Sequence, residues 1–238
     1  MLDKIKPENI LFLDIETVPE TENFEKLSLK KQELFAKKTE YQRKENFTAK
    51  EFYQRAGIWA EFGKIICISV GFFSSYDKKR SFRVKSFYSH NEKDLLENFK
   101  NLLEEHFSEN KHLLCAHNGK EFDFPFIARR MIINNMKLPK KLNLFGKKPW
   151  EVTHIDTLEL WKFGDYKHYT SLSLLTEILN IPSPKEDIDG SQVANVYYQE
   201  KNIKRIVTYC EKDTIAVAQL LLRFSNLELL KDSEIIVV

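Results

Sequence analysis

Cysteine is scarce in this chain. The three cysteines, Cys67, Cys115 and Cys210, are widely spaced and form no Cys-x-x-Cys pair. An odd number of isolated cysteines argues against a disulfide framework or a structural zinc site. His112 and His117 flank Cys115, but we interpret this grouping as a coincidence around a buried strand. The cysteine pattern predicts a protein of a reducing compartment, the cytoplasm.

Long hydrophobic runs and targeting signals are also missing. The longest apolar stretch, residues 65–73, is far shorter than the roughly 20 residues of a membrane-spanning helix. The N-terminal segment MLDKIKPEN lacks the apolar core of a signal peptide. No internal repeat or low-complexity linker is visible. With 42% hydrophobic and 30% charged residues, the chain is typical of a globular protein without a membrane partner.

The net charge of +2 conceals two basic segments. Residues 26–55 carry nine Lys or Arg against four Glu, and residues 137–148 carry five Lys and no acidic residue. Such patches suit a polyanionic partner held near an acidic pocket. For any single lysine, a solvated surface explains the charge equally well.

The apolar periodicity predicts an α/β domain with a mixed sheet. The chain, residues 1–238, is read as one domain with a helical insertion at about 19–62, which is rich in Lys, Glu and Gln. A hairpin with Asp77 in its turn should join the second and third strands. Strands are predicted at 10–17, 65–73, 81–88, 113–116 and 152–156. Helices are predicted from a cap at Asn91 to Phe107, from Pro125 to about Met136, after Asp156 or Thr157, and at 171–180, 190–200 and 202–226.

Asp14 and Glu16 form the first acidic pair. They are two positions apart at the end of the apolar run Ile10 to Leu13, so on a strand both carboxylates point to the same face. That arrangement can bind a metal ion. An acidic pair that simply ends a strand in solvent is the alternative, and the apolar run, which is typical of a central strand, weakens it.

Tyr209 and Asp213 form a second pair. They lie four residues apart in a predicted helix, so their side chains also project together. Alone, they would be read as a half-buried aromatic residue and a surface acid.

Asp123 lies between Phe122 and Phe124, just before Pro125. An isolated Asp at this place is usually a helix cap, and Phe122 would usually be core packing. Upstream, Asn118 and Gly119 form a turn whose backbone amide can approach a phosphate or sugar. Phe122 can also stack on a terminal base.

The four carboxylates are more informative together than singly. Packed side by side they repel each other, which raises at least one pKa unless divalent cations neutralise them. Two ions about 3.5–4 Å apart can stabilise the attacking and leaving oxygens of a phosphodiester. Tyr209 would orient the attacking water by hydrogen bonding, because a phenol with a pKa near ~10 is a poor base at neutral pH.

These segments resemble the DEDD superfamily of 3′–5′ exonucleases. Its first motif is matched by DIET, its second by Asn118-x-x-x-x-Asp123, and its third by Tyr209-x-x-x-Asp213 in the tyrosine form. The histidine form would carry His where Thr208 stands. The segments GKIICISVGFF, HNGKEFDFPFIARRM and TSLSLLTEILNIPSPKEDIDG are similar to predicted 3′–5′ exonucleases related to the proofreading domain of family-B DNA polymerases. The resemblance spans residues 8–225.

The resemblance implies a ribonuclease H-like fold, with a mixed sheet of five to six strands flanked by helices. It implies that two Mg²⁺ or Mn²⁺ ions bind to the carboxylates and that Tyr209 helps to position the nucleophilic water. The metal ligands would be Asp14, Glu16, Asp123 and Asp213. The 3′-terminal nucleotide would contact Thr17, His117, Asn118, Phe122, Lys185 and Ser191.

The function predicted in this way is hydrolysis of single-stranded DNA from its 3′ end, with release of 5′-mononucleotides. An RNA exonuclease similar to RNase D relatives is the first alternative, because no residue reveals how the site treats the 2′-hydroxyl. A non-catalytic nucleic-acid-binding protein on the same fold is the second, and the intact carboxylates argue against it.

Overall fold

The computed structural model describes residues 5–43, 47–76, 79–165, 167, 169–182 and 187–238. Within these residues, six strands and eight α-helices form an α/β structure, as the sequence predicts. The strands are β1 (Ile10–Pro19), β2 (Gly63–Tyr76), β3 (Lys79–Tyr88), β4 (Leu113–Ala116), β5 (Ile155–Asp156) and β6 (Ile235–Val237). The helices are α1 (Leu29–Arg43), α2 (Ala49–Phe52), α3 (Glu92–His106), α4 (Asp123–Ile133), α5 (Thr157–Lys162), α6 (Leu172–Ile178), α7 (Val193–Tyr198) and α8 (Ile203–Phe224).

The strands form one mixed sheet in the order β5-β4-β1-β2-β3-β6. β1 pairs with β2 antiparallel and with β4 parallel. β2 and β3 form the predicted hairpin, but Asp77 lies outside the described residues. None of the helices in the described part of the chain has the length and apolarity needed to cross a bilayer.

β1 is buried on both faces, as the apolar run predicts. Leu11 and Leu13 pack into the core that α3 and α4 cover, whereas Ile10 and Phe12 pack toward α8 on the opposite face. Because side chains alternate along a strand, Asp14 and Glu16 continue the face that contacts α8. The alternation of β1 therefore determines which helix can complete the acidic site.

Several boundaries differ from the predicted ones for local reasons. α4 begins at Asp123 rather than Pro125, because proline is accepted throughout the first helical turn. It ends at Ile133 instead of Met136, where Asn135 adopts a left-handed φ of 56° and the N–H of Met136 returns to the carbonyl of Met131, as in many helix ends. The strand predicted at 152–156 is shorter in the structure, where β5 has only two residues.

The segment predicted as a helical insertion contains α1, α2 and a 3₁₀ turn at Tyr53–Ile58. Its side chains pack on one another around the fully buried Phe35, which contacts the rings of Tyr53, Trp59 and Phe62. The insertion therefore has a small apolar cluster of its own, which holds its last turn against the end of β1.

A buried ion pair joins α3, α4 and β2. Arg130 Nε and Glu92 Oε1 are 2.8 Å apart, and Arg130 Nη2 and Glu92 Oε2 are 2.5 Å apart. Glu92 Oε1 also accepts a hydrogen bond from the backbone N–H of Ile65, and Arg130 Nη1 donates to the carbonyl of Ala60. This network fixes the helix that carries Asp123 against the sheet.

Replacing one partner of this network should destabilise the fold. We expect Arg130→Met to lower the free energy of unfolding by about 3–5 kcal/mol, because it leaves the Glu92 carboxylate buried without its cation. Urea denaturation measures the change. Arg129→Met, at the exposed neighbouring position, is the matched control and should change the unfolding free energy by less than about 0.5 kcal/mol. Equal effects of the two substitutions would contradict a structural role for the pair.

Candidate active site

Asp14 and Glu16 lie at the end of β1, on the face toward α8. Their register with β2 pairs Asp14 with Ser69 and Glu16 with Cys67, and the pairing shifts by one residue between Glu16 and Thr17. Such an irregularity bends a strand and redirects the side chains beside it. Here it separates the acidic pair from the following residues, which turn toward the insertion.

α8 supplies Tyr209 and Asp213 from one of its faces. The helix begins at an Asn202 cap, whose side chain accepts a hydrogen bond from the N–H of Arg205. Tyr209 and Asp213 are one turn apart on this helix. The predicted helical spacing therefore brings both side chains into one cavity.

A turn between β4 and α4 carries Asp123 to the same place. Asn118 adopts a left-handed φ of 61°, and a Cβ at Gly119 would lie 2.5 Å from the Cβ of Ala116. Only glycine therefore fits at position 119. Asp123 is 3% exposed, and the backbone of Ile15 partly offsets the rise that burial causes in its pKa, so the second motif lies beside the first.

Asp156 fixes this turn through hydrogen bonds to its backbone. Its carboxylate accepts hydrogen bonds from the N–H groups of Asn118 and Lys120, at 2.9 and 3.0 Å. It also caps α5 by accepting from Leu158 at 2.9 Å. The cap was expected from the sequence, but the contact with the turn was not. These two amides are therefore used within the protein, and Asp156 positions the segment that leads to Asp123.

The four predicted carboxylates and Tyr209 line one cavity of about 440 Å³. None of the described residues that line it is a lysine or an arginine. The lining residues that sequence reasoning did not identify are Ile15, Tyr169, Ser171, Leu172, Ser173, Asp189 and Gly190. All of these except Ile15 and Tyr169 lie within residues 170–190, a segment that carries the family resemblance but in which these residues were given no role.

The electrostatics of the cavity follow from burial and like charge. Burial raises the pKa of Asp14 well above its ordinary range, and Asp213, Glu16 and Asp123 raise it further. Burial and the neighbouring Asp213 likewise raise the pKa of Glu16. Burial, together with Asp156 and Asp213, raises the pKa of Asp123 to about 8. Without a cation, these carboxyl groups therefore tend to hold protons that isolated carboxyl groups would release.

The residues present fit divalent metal ions. Hard cations such as Mg²⁺ prefer carboxylate oxygens, and this cavity offers four carboxylates without a lysine or arginine in its described lining. Cys210 is also close, with ligand atoms of Asp14, Glu16 and Cys210 within 4.8 Å of one another. Burial raises the pKa of the Cys210 thiol, and its Sγ donates toward Asp14 Oδ2 at 3.3 Å. Cys210 therefore acts as a hydrogen-bond donor to the carboxylate of Asp14.

The residues that the resemblance implies for substrate binding divide between two places. His117, Asn118 and Phe122 line the carboxylate cavity. Thr17 and Ser191 line an adjoining cavity, which Phe122 also borders. Lys185 lies outside the described residues.

His117 is held in a neutral form. Its Nε2 donates to the carbonyl of Thr170 at 2.9 Å, so its Nδ1 accepts from the hydroxyl of Thr157 at 2.9 Å. Burial lowers the pKa of the imidazole. The ring therefore offers the cavity an uncharged surface whose two nitrogen atoms are already bonded.

The basic segment 137–148 is only partly available to a ligand. Lys141 is buried, and its Nζ donates to the carbonyls of Glu109 and His112, so an interpretation of Lys141 as a contact for a polyanion is wrong. Lys140 bonds Asn110 at 2.7 Å. The exposed lysines of the segment are Lys137, Lys140, Lys147 and Lys148.

Comparison with known structures identifies the fold. The chain is similar to the family B DNA polymerase of the hyperthermophilic archaeon Pyrobaculum calidifontis, with a TM-score of 0.55 and 15% sequence identity. The similarity covers 90% of this chain but only 24% of the polymerase. At this identity the likeness concerns the fold alone, and it supports the expected ribonuclease H-like architecture.

A family model gives the more specific result. Residues 58–234 match the model of predicted 3′–5′ exonucleases related to the exonuclease domain of PolB. The match includes the segments with Asp123, Tyr209 and Asp213, and begins after Asp14 and Glu16. In the structure these two groups of residues border the same cavity. The chain belongs to the family of predicted 3′–5′ exonucleases related to the exonuclease domain of PolB.

Proposed function

We propose that this protein is a metal-dependent 3′–5′ exonuclease of single-stranded DNA that releases 5′-mononucleotides by a two-metal mechanism. The observation that carries the proposal is the convergence of four carboxylates and a tyrosine on one cavity. They come from β1, α4 and α8, which are far apart in the chain. A carboxylate cluster of this kind is costly to bury unless cations bind to it.

The metal ligands in this proposal are Asp14, Glu16, Asp123 and Asp213, with Mg²⁺ or Mn²⁺ as the ions. When bound, such ions activate a water molecule and stabilise the charge that develops on the phosphate and the leaving oxygen. The thiol of Cys210 and the rigid strand β1 hold the carboxylate of Asp14 in place.

Tyr209 positions the attacking water in this mechanism. Burial and the neighbouring Asp213 raise the pKa of its phenol well above the ordinary value, so the hydroxyl keeps its proton at neutral pH. A protonated phenol can donate one hydrogen bond and accept another. Tyr209 therefore orients the water, and the proton leaves by another route.

The substrate in this proposal is a single strand whose 3′-terminal nucleotide contacts Thr17, His117, Asn118, Phe122 and Ser191, with Lys185 as a further contact. DNA is favoured because both the family description and the similar structure refer to DNA-polymerase relatives. RNA is the alternative substrate, and the test below distinguishes the two.

We also propose a cytoplasmic location. All three cysteines are buried and unpaired, a state that a reducing compartment preserves.

A strand-shortening assay tests the proposed activity. We expect 5′-labelled single-stranded DNA to give a ladder shortened from its 3′ end in Mg²⁺ or Mn²⁺, with no ladder in EDTA. A matched RNA should be shortened more slowly than the DNA. If the RNA were shortened faster, the protein would instead be an RNA exonuclease. Strand binding without cleavage, in folded protein with either metal, would favour the non-catalytic alternative.

Substitutions at the carboxylates and at the tyrosine should differ in severity. We expect Asp14→Ala to reduce the single-turnover rate about a thousandfold or more, because several kcal/mol of metal-dependent charge stabilisation are lost at ~1.4 kcal/mol per tenfold. Tyr209→Phe should lose less, since the ligands remain. Tyr41→Phe, at a position 94% exposed on α1, is the control. If Asp14→Ala kept the wild-type rate, the two-metal assignment would be wrong. If Tyr209→Phe kept the wild-type rate, Tyr209 would not orient the attacking water.

Removing one buried carboxyl group should stabilise the metal-free protein. The pKa of Asp123 is raised to about 8 in the folded state, so its contribution to stability is present at low pH and is lost as the pH rises through about 8. In EDTA, we expect Asp123→Asn to melt above the wild type, by about 2–4 °C for each kcal/mol of repulsion and desolvation removed. The difference in melting temperature between Asp123→Asn and the wild type should be larger at pH 9 than at pH 5.

A variant without an exposed carboxylate is the control for this melting experiment. Glu104→Gln removes an exposed carboxylate on α3 and should not alter the pH dependence. Added Mn²⁺ should raise the melting temperature of the wild type more than that of Asp123→Asn. A wild-type protein that melts at the same temperature with EDTA and with Mn²⁺ would contradict metal binding by this cluster.

A further inference from the structure

A third cavity, of about 350 Å³, lies between α4 and the segment that follows this helix. Lys120 and Phe124 border it, whereas Asn118 and Asp123 border the carboxylate cavity. Because the Cα atoms of residues two positions apart are separated by at most about 7 Å, the two cavities are close neighbours across the 118–124 segment. No described residue lines both of them. We refer to the third cavity as the α4 groove.

The α4 groove is basic. Its described lining contains Lys120, Arg129 and Lys147 but no aspartate or glutamate. Lys120 is paired with Glu159 at 2.7 Å. Lys147 and the neighbouring Lys148 make no ion pair with a described carboxylate. Unpaired cations at this place attract a polyanion.

Two large aromatic side chains beside the groove are exposed. Phe145 is 73% exposed and lines the groove, and Trp150 is 76% exposed. The other two tryptophans, Trp59 and Trp161, are partly buried. The ammonium of Lys148 lies 5.2 Å from the centroid of the Trp150 ring. Large apolar surfaces that remain exposed in a folded protein often mark a binding site.

These side chains lie on residues 144–150, which we call the aromatic turn. The N–H of Lys147 donates to the carbonyl of Leu144 at 3.1 Å. Gly146, between them, has a φ of 71°, a conformation that favours glycine. Leu144 packs against the core beside α4, and Pro149–Glu151 forms a 3₁₀ turn. The aromatic turn is therefore fixed to the body of the domain.

The combination of exposed rings and unpaired cations suits a single nucleic-acid strand. Bases of any sequence stack on aromatic side chains, and lysines attract the phosphates between them. An acidic polypeptide would be attracted by the same charges. The position of the groove favours the strand, because Lys120 is two residues from Asn118, which borders the cavity where the proposed function places the 3′ end.

We infer that the α4 groove and the aromatic turn bind the part of the strand on the 5′ side of the scissile phosphate. Bases stack on Phe145 and Trp150, and phosphates contact Lys147 and Lys148. The inference rests on the exonuclease activity proposed above, since a strand whose 3′ end lies in the carboxylate cavity can leave it only toward its 5′ end. A contact away from the cleaved bond persists when each mononucleotide is released, so it makes the enzyme processive.

Tryptophan fluorescence tests this contact without cleavage. In EDTA, we expect an oligothymidylate of about 20 nucleotides, longer than most single-strand sites, to quench the emission of Trp150. Trp150→Leu should lose this quenching and bind a labelled strand about tenfold more weakly, because one stacking contact is lost. Phe145→Leu should keep the quenching and also bind more weakly. Tyr41→Leu, at a position 94% exposed on α1, is the matched control and should bind as the wild type does.

The salt dependence of binding tests the two lysines. Each lost contact with a single strand should reduce the slope of log K against log salt by about 0.7, so we expect the double variant Lys147→Gln, Lys148→Gln to reduce it by about 1.4. The double variant Lys37→Gln, Lys93→Gln is the control, because it removes two exposed cations that do not line the α4 groove. Its slope should equal that of the wild type.

Cleavage of strands of different length tests the link to processivity. The wild type should prefer the oligothymidylate to the dinucleotide of thymidine, measured as the ratio of the two kcat/KM values. Trp150→Leu should reduce this preference about tenfold. With excess unlabelled strand as a trap, the wild type should shorten a bound strand repeatedly, whereas the variant should release it after fewer steps.

Four results would overturn the inference. The oligothymidylate could leave the emission of the wild type unchanged, or the control variants could weaken binding as much as the groove variants. Tighter binding of poly-L-glutamate than of the oligothymidylate would show a site for an acidic polypeptide instead. Self-association of the wild type that Trp150→Leu abolishes would show an interface between two copies of the chain.

Binding and cleavage together separate this inference from the proposed activity. If the expected quenching occurs but no strand is shortened in Mg²⁺ or Mn²⁺, the groove binds the strand and the exonuclease proposal fails. If strands are shortened but Trp150→Leu and Phe145→Leu bind and cleave them as the wild type does, the exonuclease proposal holds and the groove inference is wrong.

Discussion

The mutual repulsion of carboxylates in one buried cavity is the constraint on which the rest of this structure depends. Besides burial, the neighbouring Asp213, Glu16 and Asp123 raise the pKa of Asp14, and Asp213 also raises those of Glu16 and Asp123. Side chains that repel one another stay together only if rigid elements hold them. A central strand, a long packed helix and a tight turn supply that rigidity. The same energetic cost would favour the binding of divalent cations in the proposed function.

The sequence predicted the parts of this arrangement that depend on local geometry. Two carboxylates at positions 14 and 16 of a strand, and a tyrosine and an aspartate four residues apart in a helix, point together whatever their surroundings. The Asn91 cap and the Asn202 start of the last helix were predicted for the same reason. The mixed sheet followed from the succession of strands and helices, and the structure confirms it.

The sequence did not predict the parts that depend on contacts between distant segments. The contact of Asp156 with the 118–120 turn requires β5 to pair with β4, and only two residues form that pairing. β6 adds to the sheet edge through three residues near the C-terminus. Lys141 looked like a surface cation, but carbonyls of the segment after α3 surround its amine. The insertion carries no motif, so its contact with the cavity beside the carboxylates depends on how Gly57 packs against β1.

The chain order of the acidic residues has a consequence for synthesis. Asp14 and Asp213 lie at opposite ends of the sequence, yet β1 and α8 must pack together before their carboxylates meet. A chain emerging from the ribosome N-terminus first exposes Asp14 and Glu16 long before α8 exists. During that interval the cluster of carboxylates is incomplete. The order of these residues therefore delays assembly of the acidic centre until α8 has been made.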